Sequence, residues 1–543
     1  MLSAIFMGTL LGTLFSRGLL RHLRSRGKAL RPNRKRNCAR QPERRAFAAS
    51  SVAEGSRTMI ALDFDSPEPL YQQIYRSIRD DITARTIPAG TKLTAIRRLA
   101  DDLHVARNTV EGAYLQLATE GYVASRPGSG YIVEDLDFDS LGTPGSAARR
   151  ARQRIEEGVR SSDRFGNEPF SRHMTFTYDF TYGDRPAGSF PAQIWRSLTD
   201  EALFTANNKT ACYGNGLGEP SLRKQIARRV HVSRGVNCAA EQVVIQPGTQ
   251  VALDNLLTLF DPAHDAVAME EPGYDGVSTV LRNRGFRCTP IPVRPLEGKT
   301  CGSQAFFDAL EASGAKLAFC TPSNQFPTGA TMPLSSRIKM LEWAKRTGAY
   351  IIEDDYCREF RYETRPIPSL QSLDENDRVI YMGTFSKVLS PALRMSYLVL
   401  PPDLLARWRQ TFANYYCPVP WLSQETLRLF MKEGHWDRYA RKTVTEYRKR
   451  RNTLMAAIER ELGEHVDVLG GHAGLHLLMR TRDERGQNEL VEAAKAHDVR
   501  VYKTEKYWMG TPHSMGDYVL VGFSSIKTEL IDEGIRHLAR AWF

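Results

Sequence analysis

No stretch of eighteen consecutive apolar residues occurs in this chain, so a membrane-spanning helix is not expected. Cysteine is sparse: eight in 543 residues, at positions 38, 212, 238, 288, 301, 320, 357 and 417. They form no Cys-x-x-Cys pair and have no histidines at metal-ligand spacing. The pattern argues against a disulfide framework or a zinc site, and suits reduced thiols in a cytoplasmic protein without a bound metal. A basic surplus spread over the whole chain is lacking too. The net charge is +12, yet residues 1–57 hold thirteen Lys and Arg against Glu43 and Glu54. Everything after them is close to neutral, so any case for nucleic-acid binding rests on local sequence.

What is present suggests two or three domains. Residues 1–58 open with an apolar run whose first cation, Arg17, follows it, the wrong order for a secretory signal. Arg17–Arg45 is Arg-rich and aperiodic. This stretch reads as a disordered basic arm or as the product of a start codon assigned too far upstream, with Met59 beside the first orderly segment. The misassigned start is favoured, and a targeting role ranks last.

From residue 59 to 134 the pattern is regular. Leu70, Ile74, Ile78 and Ile82 recur every four residues, the mark of an amphipathic helix. Pro88-Ala-Gly90 ends it, and Thr94 is expected to cap a second helix, Ala95–Leu103. A turn at His104-Val-Ala106 leads to a third helix, Arg107–Glu120, with Val110, Ala113, Tyr114 and Leu117 inward. Tyr122–Val133 reads as two short strands about a Gly/Pro turn. Two helices joined by a tight turn and followed by a hairpin make a winged helix-turn-helix. Arg107, Asn108 and Thr109 would then reach base edges, and Arg126 at the wing tip a phosphate or the minor groove. A three-helix packing module without DNA would show the same periodicity.

Leu70-Tyr-Gln-Gln-Ile74, Pro88-Ala-Gly90, Arg97-x-Leu-Ala100, Val105-x-Arg-Asn-Thr-Val110 and Glu120-Gly-Tyr122 resemble the winged-helix domain of GntR-type bacterial repressors. The resemblance implies a double-stranded DNA operator as partner, and adds Arg97 to the DNA-binding residues. There are departures. Thr94-Ala95-Ile96 stands where the family usually has Pro-Ser-Ser, His104 replaces a common turn glycine, and Ala106 replaces a capping serine. Loss of that cap is expected to cost about 1 kcal/mol. Residues 135–178, acidic and Gly/Pro/Ser-rich and then charged, read as a linker.

From 179 to 543 short apolar strands alternate with helical segments: Val243–Gln246, Ala266–Met269, Leu317–Cys320, Ala349–Glu353 and Arg378–Tyr381. That implies an α/β layout with a mainly parallel sheet, and polar motifs fall at the strand ends, where such folds bind ligands. Gly248-Thr249-Gln250 opens a helix and would bind phosphate. Tyr274 sits on a turn, able to stack on a planar ring. Asn324 and Gln325 lie in a polar loop, Asp354 and Tyr356 follow a strand, and Thr384-Phe-Ser386-Lys387 precedes Arg394. Taken singly, each also fits a capped turn, a packed ring or a surface cation.

In this order, together with Tyr213-Gly-x-Gly-x-Gly218, they resemble fold-type-I aminotransferases, with a smaller C-terminal subdomain. The resemblance implies pyridoxal 5′-phosphate as cofactor, bound through a Lys387 Schiff base. Asp354 would face the pyridine nitrogen, Tyr356 the phenolic oxygen with Asn324 or Gln325 nearby, and Tyr274 the ring face. Arg394, Thr384, Ser386, Gly248, Thr249 and Gln250 would hold the phosphate. Tyr213 would reach the phosphate of a neighbouring subunit, which implies a homodimer.

A winged helix ahead of such a domain resembles the MocR/GabR subfamily of GntR regulators. One departure bears on activity: Leu520 stands about where aminotransferases carry the arginine that binds a substrate carboxylate, and only Arg480 or Arg536 could substitute. The expectation is therefore a cofactor-loaded regulator sensing an amine, an amino acid or the cofactor. An active aminotransferase and a cofactor-free dimerising domain are the alternatives. Deleting residues 1–57 should flatten non-specific, salt-sensitive DNA binding and spare specific operator binding, as measured by titrations at several salt concentrations.

Overall fold

The computed structural model describes residues 47–49, 60–136, 176–293, 302–363, 367–483, 485–509 and 517–543. The chain divides into two compact units, Met1–Arg172 and His173–Phe543. The basic extension at 1–58 and the linker at 135–178 lie outside the described residues, apart from 47–49, 135–136 and 176–178. Among these, β1 (Phe47–Ala49) pairs antiparallel with β2 (Ile60–Leu62), so part of the extension expected to be disordered has a strand partner.

Three helices and a hairpin build the first unit: α1 (Leu70–Thr83), α2 (Ile96–Leu103), α3 (Arg107–Thr119), β3 (Val123–Arg126) and β4 (Gly130–Val133). The four-residue repeat of α1 puts Ile74, Ile78 and Ile82 on one buried stripe against Leu99, Leu103, Val110 and Leu117. Each such side chain contributes about 1.5–3 kcal/mol when buried. Thr94 does not cap α2. Ala95 holds that position, and Thr94 is buried, its carbonyl accepting the Tyr114 hydroxyl at 2.9 Å. His104 ends α2 at φ 54°, a left-handed conformation in which glycine is unstrained and a side chain is not. The strand before α2 adds an edge to the wing, since Leu93 N–H donates to Tyr131 O at 2.9 Å and Val133 N–H to Thr91 O at 2.9 Å.

A short strand, β5 (Tyr178–Asp179), opens the second unit. It is followed by β6 (Val243–Gln246), β7 (Val267–Glu271), β8 (Cys288–Pro292), β9 (Leu317–Cys320), β10 (Tyr350–Asp354), β11 (Val379–Thr384) and β12 (Ser396–Val399). Seven of these form one sheet in the order β6-β12-β11-β10-β9-β7-β8, with only β12 running against its neighbours. Its strands are apolar along their length because helices cover both faces. Ile352, Ile380 and Leu398 point into one core, and Tyr381, Tyr397 and Val399 into the other.

The 28-residue helix His435–Leu462 leads out to the smaller subdomain. There β13 (Val466–Gly470), β14 (His476–Thr481), β15 (Val499–Arg500), β16 (Tyr502–Lys503) and β17 (Val519–Gly522) follow, with the antiparallel sheet order β13-β14-β17-β16. Pairing of β15 with β5 ties the start of the unit to this subdomain. No described helix is long and apolar enough to cross a membrane.

The N-cap of α3 is Ala106, with extended backbone and no side-chain cap bond. Ala106→Ser should therefore raise the stability of the first unit by about 1 kcal/mol, read as a shift of its unfolding midpoint in denaturant.

Candidate functional site

Strand register assembles the site. Thr384, Ser396 and Gln246 stand side by side across β11, β12 and β6. Ser386 lies two residues past that row, Gly248 two residues past it on β6, and Arg394 two residues before it on β12. The three motifs, separated by up to 146 positions, therefore meet at one sheet end. Gly248 takes φ 100°, and a Cβ there would collide with Nη2 of Arg394, so only glycine lets the guanidinium lie against the N-terminus of the Thr249–Leu257 helix. Arg394, itself at φ 45°, remains exposed. Thr384 Oγ1 accepts the Ser386 N–H at 3.2 Å and lies 3.1 Å from Ser386 Oγ. Hydroxyls, a helix N-terminus and an arginine come together here in a cup that could hold a phosphate.

Thr249, Gln250, Tyr274, Met382 and Asp354 line one cavity beside that cup. Tyr274 folds over Gly276, where a Cβ would sit 2.7 Å from its hydroxyl. Asp354 ends β10 in full burial, and its Oδ1 has no hydrogen-bond partner among the described residues. Burial, and then the charge of Asp355, push its carboxyl up to about 7, against the pull of Lys387. A buried acid with an idle oxygen is costly unless a cationic N–H meets it. Tyr356 is held at 2.8 Å by the Asn324 amide and donates to the Asn324 carbonyl at 3.0 Å, and Asn324 Oδ1 is likewise idle. These groups fit pyridoxal 5′-phosphate: a ring nitrogen at Asp354, polar ring substituents at Tyr356 and Asn324, and a phosphate at the cup.

Lys387 follows β11, with its Nζ 4.4 Å from the centroid of the Tyr182 ring. Burial lowers the pKa of its amine, opposed by Cys357, Asp354 and Asp184. A lowered pKa leaves more free amine for carbonyl attack. A Cβ on Gly183 would lie 2.9 Å from Nζ. Tyr182, Gly183 and Asp184 were not singled out in the sequence, because they belong to no helix or strand pattern and precede the lysine by two hundred residues. His476, at the start of β14, was not singled out either, since nothing near it in sequence marks it as a partner of Tyr182. It packs edge-on to Tyr182 at 4.6 Å, donates from Nε2 to Pro327 O at 2.8 Å, and burial pulls its pKa down to about 4.

Other expectations separate. Gln325 serves the scaffold: its amide donates to Pro272 O at 2.8 Å and lies 3.5 Å from Glu270, away from Tyr356. Tyr213 stands apart from the cup, 83% exposed and stacked on Tyr416 at 4.4 Å. Leu520 is buried between Leu478 and Tyr502 in the small sheet. Neither proposed substitute replaces it, since Arg480 pairs with Asp467 at 3.0 Å and Arg536 is exposed on the last helix. In the first unit, Arg97, Arg107, Asn108 and Arg126 are exposed and Thr109 is half-buried, with Arg107, Asn108 and Thr109 at the start of α3.

A winged helix followed by an aminotransferase-type cofactor site defines a DNA-binding regulator with an enzyme-derived second domain. Residues 70–133 match the family model of bacterial regulatory proteins of the gntR family, and residues 180–516 that of aminotransferase class I and II. The chain is 36% identical over 474 residues to the HTH-type transcriptional regulator YdeL of Bacillus subtilis, covering 87% of this chain and 97% of that one. It is 32% identical over 488 residues to the probable rhizopine catabolism regulatory protein MocR of Rhizobium meliloti, covering 89% and 96%. The chain therefore belongs to the MocR-type regulators of the GntR family. Among solved structures, the α-aminoadipate aminotransferase LysN of Thermus thermophilus, crystallised with N-(5′-phosphopyridoxyl)-L-leucine, superposes with a TM-score of 0.60 at 25% identity, covering 67% of this chain and 91% of that one.

The Asp354 carboxyl gives a test with a definite sign. Its folded pKa lies above its ordinary 3.8, so cofactor-free protein should lose stability as pH rises from that value toward about 7. Asp354→Asn should match the wild type near about pH 4 and melt higher near about pH 8, while binding pyridoxal phosphate more weakly. Thermal scans with and without cofactor check both halves.

Proposed function

We propose that the second unit carries pyridoxal 5′-phosphate on Lys387 and uses it to sense an amine, an amino acid or the cofactor itself. Binding there governs how the first unit holds its operator. The observation that carries this is the idle, buried Asp354 carboxyl in the cavity beside the cup. A carboxylate so placed is destabilising unless a protonated ring nitrogen occupies the space. The bound group would supply a reactive imine carbon and an electron-withdrawing ring. The protein's part is orientation: Arg394, Thr384, Ser386 and the backbone of Gly248–Gln250 hold the phosphate, Tyr274 covers the ring, and Tyr356 with Asn324 meets its oxygen.

Control requires that the effector bind two arrangements of the molecule with different affinity. Relatives named for rhizopine catabolism and for pyridoxine biosynthesis, the latter PdxR of Corynebacterium glutamicum at 26% identity over 469 residues, support a metabolite as the signal. A homodimer in the cytoplasm is the assembly we favour. Phe204, Tyr213, Tyr415 and Tyr416 are all more than half exposed, which is unusual for aromatics on a lone surface. Tyr213 would then serve the partner's phosphate.

The alternative is an active aminotransferase with an incidental DNA-binding module, favoured by the complete Lys387, Asp354, Tyr356 and Arg394 set. The buried Leu520 weighs against it, because an apolar side chain makes no bidentate pair with a substrate carboxylate. Rapid multiple turnover with an amino acid and a keto acid would decide for the enzyme.

Purified protein should show visible absorbance from the lysine-bound cofactor, and Lys387→Ala should lose it. A colourless wild type after reconstitution would sink the proposal. Arg107→Ala should weaken operator binding by about 1–3 kcal/mol and relax base preference, measured against random-sequence duplex at fixed salt.

A further inference from the structure

The outer face of the His435–Leu462 helix carries a cationic stripe that neither the cofactor site nor the winged helix uses. Trp436, Ala440, Thr443, Tyr447 and Leu454 bury one side of this helix. Directly opposite, within a sector of about 120° at 3.6 residues per turn, lie Arg438, Arg441, Lys442, Arg448 and Lys449, all exposed. Thr445 and Asn452 fill the gaps between them. The two acids of the segment stand at the edges of the stripe and are engaged: Asp437 pairs with Arg229, and Glu446 lies 4.0 Å from Lys442. Arg441, Arg448 and Lys449 make no ion pair among the described residues.

Arg229 also lies over the Trp436 ring at 4.9 Å, which sets the neighbouring Pro220–Arg234 helix alongside. That helix adds exposed Lys224 and Arg228. Like charges three and four residues apart repel, and the chain beyond residue 57 is nearly neutral overall. Five cations are thus clustered on one helix face with no acid among them.

We propose that this stripe is a second DNA-binding surface, located on the aminotransferase-type unit, which holds the backbone of duplex flanking the operator. From Arg438 to Lys449 it spans roughly 16 Å at 1.5 Å per residue, over which B-form duplex offers a phosphate about every 1.7 Å. An acidic protein partner fits less well. Protein interfaces are built on aromatic and aliphatic anchors and are depleted of lysine, whereas the exposed residues of this face are Arg, Lys, Thr, Asn and Glu. Contacts of this kind would add affinity and salt dependence without reading sequence.

The test uses the full chain on random-sequence duplexes. One is several helical turns long, and the other is only about two turns, enough for the paired winged helices. Replacing Arg441, Arg448 and Lys449 together by Gln should make the slope of log affinity against log salt shallower by roughly two to three on the long duplex, and leave it unchanged on the short one. The charge-retaining variant, with Arg441→Lys and Arg448→Lys, should keep the wild-type slope, and this separates lost phosphate contacts from damaged folding. Equal slopes for wild type and the Gln variant on the long duplex would overturn the proposal. So would a Lys variant that behaves like the Gln variant, or a Gln variant that binds DNA normally but no longer regulates transcription, which would point to an acidic protein instead. The salt-slope arms do not require the cofactor, so failure there is distinct from failure of the sensing role.

Discussion

The buried pair between Arg234 and Asp355 underlies the chemistry of the second unit. Nε of Arg234 meets Oδ2 of Asp355 at 2.7 Å with both side chains essentially inaccessible, and the Tyr381 hydroxyl donates to the same oxygen at 2.6 Å. Burial works against the Arg234 charge, but Asp355, Tyr381 and Glu353 together outweigh it and raise its pKa. Arg234 also binds the Ile367 carbonyl and Ser323, so one guanidinium joins a helix end, the segment after Asp355 and the loop that carries Asn324. Such a pair adds little net stability compared with an apolar replacement, but losing one partner would leave a buried charge. Its contribution is geometric: it locks the residue between Asp354 and Tyr356, so those two side chains reach the cofactor cavity.

That lock also bears on electrostatics. Burial first, and then Asp355 beside it, hold the Asp354 carboxyl high, which would make a cationic ring favourable there. Neighbouring acids strengthen the scaffold in the same style. Glu353 accepts the Leu370 and Gln371 amides at 2.8 and 2.9 Å, and Glu270 accepts both the backbone and the hydroxyl of Thr321 at 3.0 and 2.7 Å. Three buried carboxylates at the ends of β7 and β10 are thus engaged, leaving Asp354 with an oxygen that has no partner among the described residues. Preorganisation of this sort suits a site that must hold a planar ligand in one orientation.

Much of this was legible in the chain. Strand and helix positions followed from runs of apolar residues bounded by turn residues, and the motifs at their ends carried recognisable chemistry: Lys387 after a strand, Gly248 before a helix, Asp354 and Tyr356 after another strand. Less local features were not. Thr94 looked like a helix cap, but it is buried with its carbonyl accepting the Tyr114 hydroxyl of α3, and Ala95 holds the N-cap position without a side-chain cap bond. Asn324 and Gln325 were equal candidates by composition, and only packing against Glu270 and Pro272 gave Gln325 to the scaffold. Tyr182 and His476 enter the site through the pairing of the small subdomain with the start of the unit, a contact between distant segments that leaves no periodic trace.

By itself, the sequence determined the order of domains, the register-independent chemistry of each motif and the absence of an arginine at Leu520, because these are properties of single residues and their near neighbours. Tertiary structure decided which motifs meet. The alignment of Thr384, Ser396 and Gln246 across three strands turned separate loops into one cup that could hold a phosphate, and the Arg234–Asp355 pair left Asp354 as the carboxylate that stands idle in the cavity. Both depend on distances between residues more than a hundred positions apart, set by hydrogen-bond register and by desolvated charge, neither of which is written in any local stretch of the chain.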